Sequence, residues 1–250
     1  MPIPALAEHV AGLGFAGVEL PVRPGYPVHP GNAATELPRA ARALEAVGLR
    51  VASVAGAADE ATVEACAAAG VPLLRVCLFV GDSEDYLAAE ARMRCGIEAL
   101  VPALERGGVT LGIQNHCGRS VCNAMGLRSL LADLEPRCVA AVWDPAHNAL
   151  QGEEPELALD IVWPSLRMVN LKNAFWRRAT GPEAESVEWT PYWTSGRQGL
   201  ASWPRVAAQL GRRGYAGPVC LTAEYTDQAS VDRLIAEDLR YARALFDAKG

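Results

Sequence analysis

Apolar positions along the chain alternate between two spacings, one helical and one continuous. Leu6, Val10 and Leu13 share a helical face that Gly14 closes, and GVEL at 17–20 follows as a short buried strand. A helix over 34–47 stops at Gly48 before the strand RVASVAG (50–56), and a helix over 59–69 stops at Gly70 before LLRVCLF (73–79). A long helix over 84–106 ends at Gly107-Gly108 and leads into TLGIQNH (110–116), then a helix near 126–134 and CVAAVWD (138–144). A short helix at 155–162 precedes LRMVNLKN (166–173), and the last unit pairs a helix near 201–213 with PVCLTAEY (218–225). From 230 onward Val231, Leu234, Ile235, Leu239, Ala242, Leu245 and Phe246 recur at helical spacing.

Glycine stops followed by β-branched or apolar runs return about every 30 residues, the mark of repeated βαβ units in a parallel sheet. The count is seven strands and eight helical segments, and the first helix has no strand before it. The expected fold is α/β, a single TIM (β/α)8-type barrel over residues 1–250 that either lacks its first strand or starts downstream of it. An open dinucleotide-binding sheet would need a Gly-rich phosphate turn after an early strand, and the sequence has none.

Lys+Arg 23 against Asp+Glu 29 leaves a formal charge of −6, with no basic cluster to suggest a nucleic-acid surface. MPIPALAEHVAGLGF lacks a basic region followed by a long apolar stretch, so neither a signal peptide nor a membrane span is expected. Seven scattered cysteines with no C-x-x-C pair read as reduced thiols of a cytoplasmic protein. Cys117 and Cys122, with His116 nearby, fit no standard zinc spacing.

Chemistry in such a barrel sits at the C-terminal strand ends, and polar residues gather there. Glu19 lies in the first strand with Arg23 and His29 after it; Gln114, Asn115 and His116 close TLGIQNH; Asp144 and His147 follow CVAAVW. Asn170, Lys172 and Asn173 follow RMV, and Glu224 ends PVCLTAE. Charges inside apolar strands are costly without a partner or metal, so several strand ends sharing this pattern point to one site.

The segments LGFAGVEL, VRPGYPVHP, GIQNH, WDPAHN, VNLKNA, GRQGLASWPRV and CLTAEY, in this order from residue 5 to about 246, resemble the sugar phosphate isomerase/epimerase family of xylose isomerase-like barrels. The resemblance implies one divalent cation, Mn2+ or Mg2+, and a small keto-sugar or polyol substrate changed by proton transfer. Asp144 and Glu224 fall on two of the family's ligand positions, whereas Gln114 and Asn170 stand where a Glu and a His are expected. His147 falls on a substrate-contacting histidine, Lys172 is kept, and Asn173 replaces an Asp often found after that lysine.

An all-oxygen set of Gln114, Asp144, Asn170 and Glu224 suits a hard cation better than zinc. Gln114 cannot take up a proton, so the two-carboxylate scheme of the resembled family is broken. Glu224 is the expected general base, His147 and Lys172 its helpers, and Glu19 a second acid/base. A one-base elimination, as in a lyase or dehydratase, tolerates that loss better than epimerisation does.

The stretch from Phe175 to Trp203 is rich in aromatic rings and arginines without a long period, and reads as a loop over the barrel mouth or a dimer contact. Trp176, Arg177, Trp193 and Arg197 are its expected substrate contacts, together with Arg23, His29, Asn115 and His116. A non-catalytic sugar-binding protein is the alternative of a different class, supported by Gln114 and Asn170. A DNA-repair endonuclease of the same superfamily would need more than the four histidines present.

Overall fold

The computed structural model describes residues 1–247, and the chain falls into two compact units. One comprises Met1–Gln114 with Leu130–Val142; the other comprises Asn115–Ser129 with the chain from Trp143 onward.

The first unit runs α1 (Ile3–Leu13), β1 (Gly17–Pro21), α2 (Ala33–Glu45), β2 (Arg50–Ala55), α3 (Glu60–Ala68), β3 (Leu73–Cys77), α4 (Tyr86–Gly107) and β4 (Thr110–Gln114). The division crosses α5 (Ala124–Leu131) and the end of β5 (Val139–Trp143). Side-chain caps start two of these helices: Asp59 accepts from Thr62 N–H for α3, and Asp85 from Leu87 and Ala88 N–H for α4. α1 ends at Gly14, where φ is +88°, a left-handed conformation that glycine adopts at little cost.

Each neighbouring pair from β1 to β5 is parallel. Every residue of β4 and β5 is buried, which is why these strands read as unbroken apolar runs rather than alternating ones. Gly112 permits the close approach of β5: a Cβ there would lie 2.6 Å from Val142 Cγ2. The β1–β2 register shifts between Val18 and Glu19, so that Val18 pairs with Val51 but Glu19 with Ser53. That bulge sets Glu19 and Ser53 side by side.

The second unit continues with α6 (Pro145–Leu150), α7 (Pro155–Val162), β6 (Leu166–Leu171), β7 (Asn173–Arg178), β8 (Trp189–Thr194), α8 (Trp203–Arg212), β9 (Val219–Leu221) and α9 (Val231–Asp247). β6 and β9 are parallel neighbours, with Asn170 opposite Cys220 and Leu171 opposite Leu221.

All seven strands expected from the sequence form, and no strand precedes α1. The aromatic stretch departs from the expected loop, because β7 and β8 form a six-pair antiparallel hairpin. It carries no apolar run since its rings pack on each other across the strands, Phe175 on Tyr192 with centroids 5.1 Å apart. The short helix α6, a segment to which the sequence reading assigned no element, begins at Pro145, a residue suited to a first helical turn. PVCLTAEY contributes only three residues to β9, because Ala223 turns out of the extended path at φ +52°.

No disulfide joins any of the seven cysteines. Among the described residues no helix is long and apolar enough to cross a membrane.

Candidate active site

In the second unit, polar side chains converge from four strand ends. Asp144, directly after β5, is fully buried; its Oδ1 caps α6 by accepting from Ala146 N–H at 2.9 Å and His147 N–H at 3.2 Å. Burial pushes the Asp144 carboxyl above the usual aspartate range, while Lys172 and the two N–H groups oppose that rise. The cap puts His147 in the first turn of α6, with Nε2 3.7 Å from Asp144 Oδ2.

Lys172 follows β6 and is only 6% exposed. Its carbonyl accepts from the buried Trp203 Nε1 at 3.1 Å, which fixes the backbone from which the side chain extends. Nζ lies 2.7 Å from Glu224 Oε2 and 3.7 Å from Asp144 Oδ2, and 4.1 Å from the centroid of the Trp193 ring. Glu224, in contrast with Asp144, has half of its side chain exposed. The Trp193 ring meets His147 edge-on at 5.0 Å, so hairpin and strand-end residues share one cluster.

Asn115, His116 and Cys117 complete it. The Asn115 amide bonds both backbone groups of Asp144, Oδ1 accepting from N–H at 2.8 Å and Nδ2 donating to the carbonyl at 3.0 Å. His147 Nδ1 accepts from Cys117 N–H at 3.0 Å, which assigns the ring proton of a neutral His147 to Nε2. His116 Nδ1 lies 2.8 Å from the Cys117 carbonyl, which assigns its proton to Nδ1. The two imidazoles pack with centroids 4.0 Å apart.

In the first unit, Glu19 binds Arg75 through both oxygens, Oε2 to Nε at 2.9 Å and Oε1 to Nη2 at 2.7 Å, and also accepts from Ser53 Oγ at 2.9 Å. The third guanidinium nitrogen, Nη1, donates to Gln114 Oε1 at 2.6 Å. Arg75 was not among the expected site residues, although an arginine inside LLRVCLF carries the same signal as Glu19 inside GVEL.

The remaining expected contacts are placed differently. Arg23 is exposed, and His29 Nδ1 accepts from Gly31 N–H in its own turn. Trp176 donates from Nε1 to the Leu150 carbonyl, and Arg177 stacks on Tyr192. Arg197 stacks on Tyr241 of α9 at 3.6 Å. Asn170 is fully buried on β6. Asp238 of α9, also unforeseen, accepts from Gly196 N–H and from the hydroxyl of Tyr225, the residue after Glu224.

The oxygens expected to hold a divalent cation do not fit one in this arrangement. A cation shared by Asp144 Oδ2 and Glu224 Oε2 would meet the Lys172 ammonium already beside both. Two unit charges about 4 Å apart interact by about 4 kcal/mol at an effective dielectric constant of 20, and a divalent ion doubles the repulsion. Asp144 Oδ1 is spent on the helix cap, and Gln114 Oε1 faces a guanidinium. A second grouping, His116, Cys117 and His147, has its ligand atoms within 4.8 Å of one another. There His147 Nδ1 accepts from Cys117 N–H, which leaves the proton of a neutral ring on Nε2, and burial raises the Cys117 thiol while Lys172 opposes that rise.

A family described as Xylose isomerase-like TIM barrel matches residues 7–245. No curated protein matches the sequence. Among solved structures, a D-psicose 3-epimerase studied in the presence of D-fructose superposes with a TM-score of 0.73 at 15% identity, covering 100% of this chain and 95% of that one. A probable 3-DHS dehydratase of petrobactin synthesis from Bacillus anthracis gives 0.71 at 12%, covering 96% and 93%. A xylose isomerase-like TIM barrel protein from Mycobacterium smegmatis in complex with magnesium gives 0.71 at 15%, covering 100% and 91%.

Proposed function

We propose, from the premise that this chain belongs to the xylose isomerase-like TIM barrel family, that it is an enzyme of the isomerase/epimerase kind moving a proton next to the carbonyl of a small keto-sugar. The observation that carries the reading is Lys172, held between Glu224 and Asp144 beneath Trp193.

The half-exposed Glu224 is the group able to accept a C–H proton from substrate. The Lys172 ammonium donates to the carbonyl oxygen and stabilises the charge that develops there as the enolate forms. His147, with its proton on Nε2, donates to a substrate hydroxyl or a leaving oxygen. Trp193 offers a ring face for the C–H side of a sugar. Glu19 has both oxygens on Arg75, so the reading gives it a positioning role rather than that of a second base.

That same pairing favours a second reading, lyase or dehydratase chemistry on a keto-sugar or glycoside. One half-exposed carboxylate serves a β-elimination, in which Glu224 takes the C–H proton and returns it to the departing oxygen while His147 Nε2–H hydrogen-bonds that oxygen. Both readings are tested by incubating the protein with a panel of keto-sugars in D2O and following the protons next to the carbonyl by NMR. Deuterium uptake that Glu224→Gln lowers by a factor on the order of 100 or more supports proton abstraction by this carboxylate. Uptake without a new alkene or enone signal selects isomerisation; its appearance selects elimination. Undiminished turnover in Glu224→Gln would sink both.

A further inference from the structure

We infer that Lys172 is the resident cation of this site: its ammonium stands where a shared divalent ion would have to stand, so the protein neither binds nor needs manganese or magnesium there. The inference deepens the reading above by naming the electrophile of the same site, but its test does not depend on turnover.

Three attractive surfaces enclose Nζ: the Glu224 carboxylate at 2.7 Å, the Asp144 carboxylate at 3.7 Å and the Trp193 face at 4.1 Å. An aromatic face is a good neighbour for an alkylammonium and supplies no lone pair to a hard divalent ion, which seeks oxygens. The lysine is also held from behind, by the Trp203 bond to its carbonyl and by β6 pairing Leu171 with Leu221 of β9, the strand that leads to Glu224. Withdrawal of the side chain would remove the ammonium that the buried Asp144 and the half-exposed Glu224 share.

The first unit independently repeats the pattern. Gln114, expected as a ligand, gives its oxygen to Arg75 at 2.6 Å, so a fixed guanidinium stands on that oxygen as well. Two organic cations thus engage Gln114, Asp144 and Glu224, three of the four residues that the family resemblance assigns to a metal. Electrophilic assistance then comes from an N–H donor rather than a Lewis acid. Glu224 takes the C–H proton, and Lys172 keeps its three protons while hydrogen-bonding the developing oxygen.

The test is a manganese titration of the full chain, stripped with a chelator and dialysed, read by the EPR signal of free Mn2+ and by the thermal midpoint. Wild-type protein is expected to leave the free-ion signal undiminished and the midpoint unchanged at metal concentrations on the order of 1 mM, a range that detects even weak sites. Lys172→Met, which removes the ammonium but keeps the chain volume, is expected to gain a saturable Mn2+ site that Asp144→Asn in the same background abolishes. Binding of about one Mn2+ by wild type, lost in Asp144→Asn, would overturn the inference. So would a folded Lys172→Met protein with no gain in binding. Should that variant not fold, the wild-type titration alone decides. A protein that binds no metal and exchanges no keto-sugar protons would uphold the inference and remove only the functional reading.

Discussion

The side-chain amide of Asn115 clasps the backbone of Asp144 at both ends, accepting from its N–H at 2.8 Å and donating to its carbonyl at 3.0 Å. Both residues are fully buried, so neither backbone group has water as a substitute partner. Asn115→Ala is expected to cost about 2–4 kcal/mol in urea unfolding, two lost bonds plus two orphaned backbone groups. Asn115→Asp should cost at least as much, because it keeps the acceptor, loses the donor and adds a carboxylate beside Asp144. A loss below about 1 kcal/mol for the alanine variant would mean that the clasp does not hold the strand end.

A second prediction concerns Glu19 and Arg75, whose side chains are each only 11% exposed. Removing one member leaves a largely buried charge with no counter-ion, which typically costs about 3–5 kcal/mol. Arg75→Met is therefore expected to be strongly destabilising, and Arg75→Met combined with Glu19→Gln to recover a large part of that loss. The double-mutant cycle from urea midpoints gives the coupling. Additive losses would contradict the pairing.

The residues differ in how openly the sequence displays them. The seven main strands and the family were legible because apolar runs such as TLGI and VAAVW are buried on both faces and bounded by glycine or polar residues. The expectation of a xylose isomerase-like TIM barrel with no strand before the first helix is met. The β7–β8 hairpin was not legible: its strands are partly exposed, so cross-strand ring pairs replace the apolar run that marks a strand. Glu19, Asp144, Lys172 and Glu224 stood out as charges at the ends of apolar segments. Arg75 carries the same signal but lies in the middle of β3, where a rule about strand ends does not select it. Asp238 was hidden for another reason. Between Glu237 and Leu239 it looks like any charge on an amphipathic helix, and only the fold turns it inward to Tyr225 and Gly196.

That inward aspartate predicts a pH dependence. Burial raises the Asp238 carboxyl above its ordinary value, opposed by the bonds from Gly196 and Tyr225, with Glu237 adding to the rise and Arg197 reducing it. A raised carboxylate favours the protonated form in the folded state. Its contribution to stability is therefore fully present below the unfolded pKa and declines as pH rises through the folded one. Asp238→Asn keeps an acceptor for Gly196 N–H, and the Tyr225 hydroxyl can rotate to accept from the new amide. The variant is expected to gain on wild type as pH rises from about 4 to 7, the unfolded aspartate value being about 3.9. Thermal midpoints of both proteins across that range measure the difference. A gap that narrows with rising pH would refute the assignment.

Asn173 carries the last prediction, because the resembled family often has an aspartate at this position. Its fully buried amide makes four hydrogen bonds here: Oδ1 accepts from Ala174 and Ala201 N–H at 3.0 and 2.8 Å, and Nδ2 donates to the Gly196 and Ala201 carbonyls at 2.9 and 2.8 Å. Asn173→Asp would turn a donor of two bonds into an oxygen facing two carbonyl oxygens. The expected loss is about 3 kcal/mol or more near neutral pH, since two acceptors are left unsatisfied beside a buried charge. Protonation restores one donor, so the deficit relative to wild type should shrink as pH falls toward the variant's raised carboxyl pKa. Gly199 gives an independent handle on the same clasp, since a Cβ there would lie 2.1 Å from Asn173 Oδ1. Gly199→Ala should therefore destabilise the protein at all pH values, and in combination with Asn173→Asp should cost less than the sum of the two losses, because both disturb the bonds that Asn173 makes to the same loop. Full additivity would show that the loop from Gly196 to Ala201 is held by something other than Asn173.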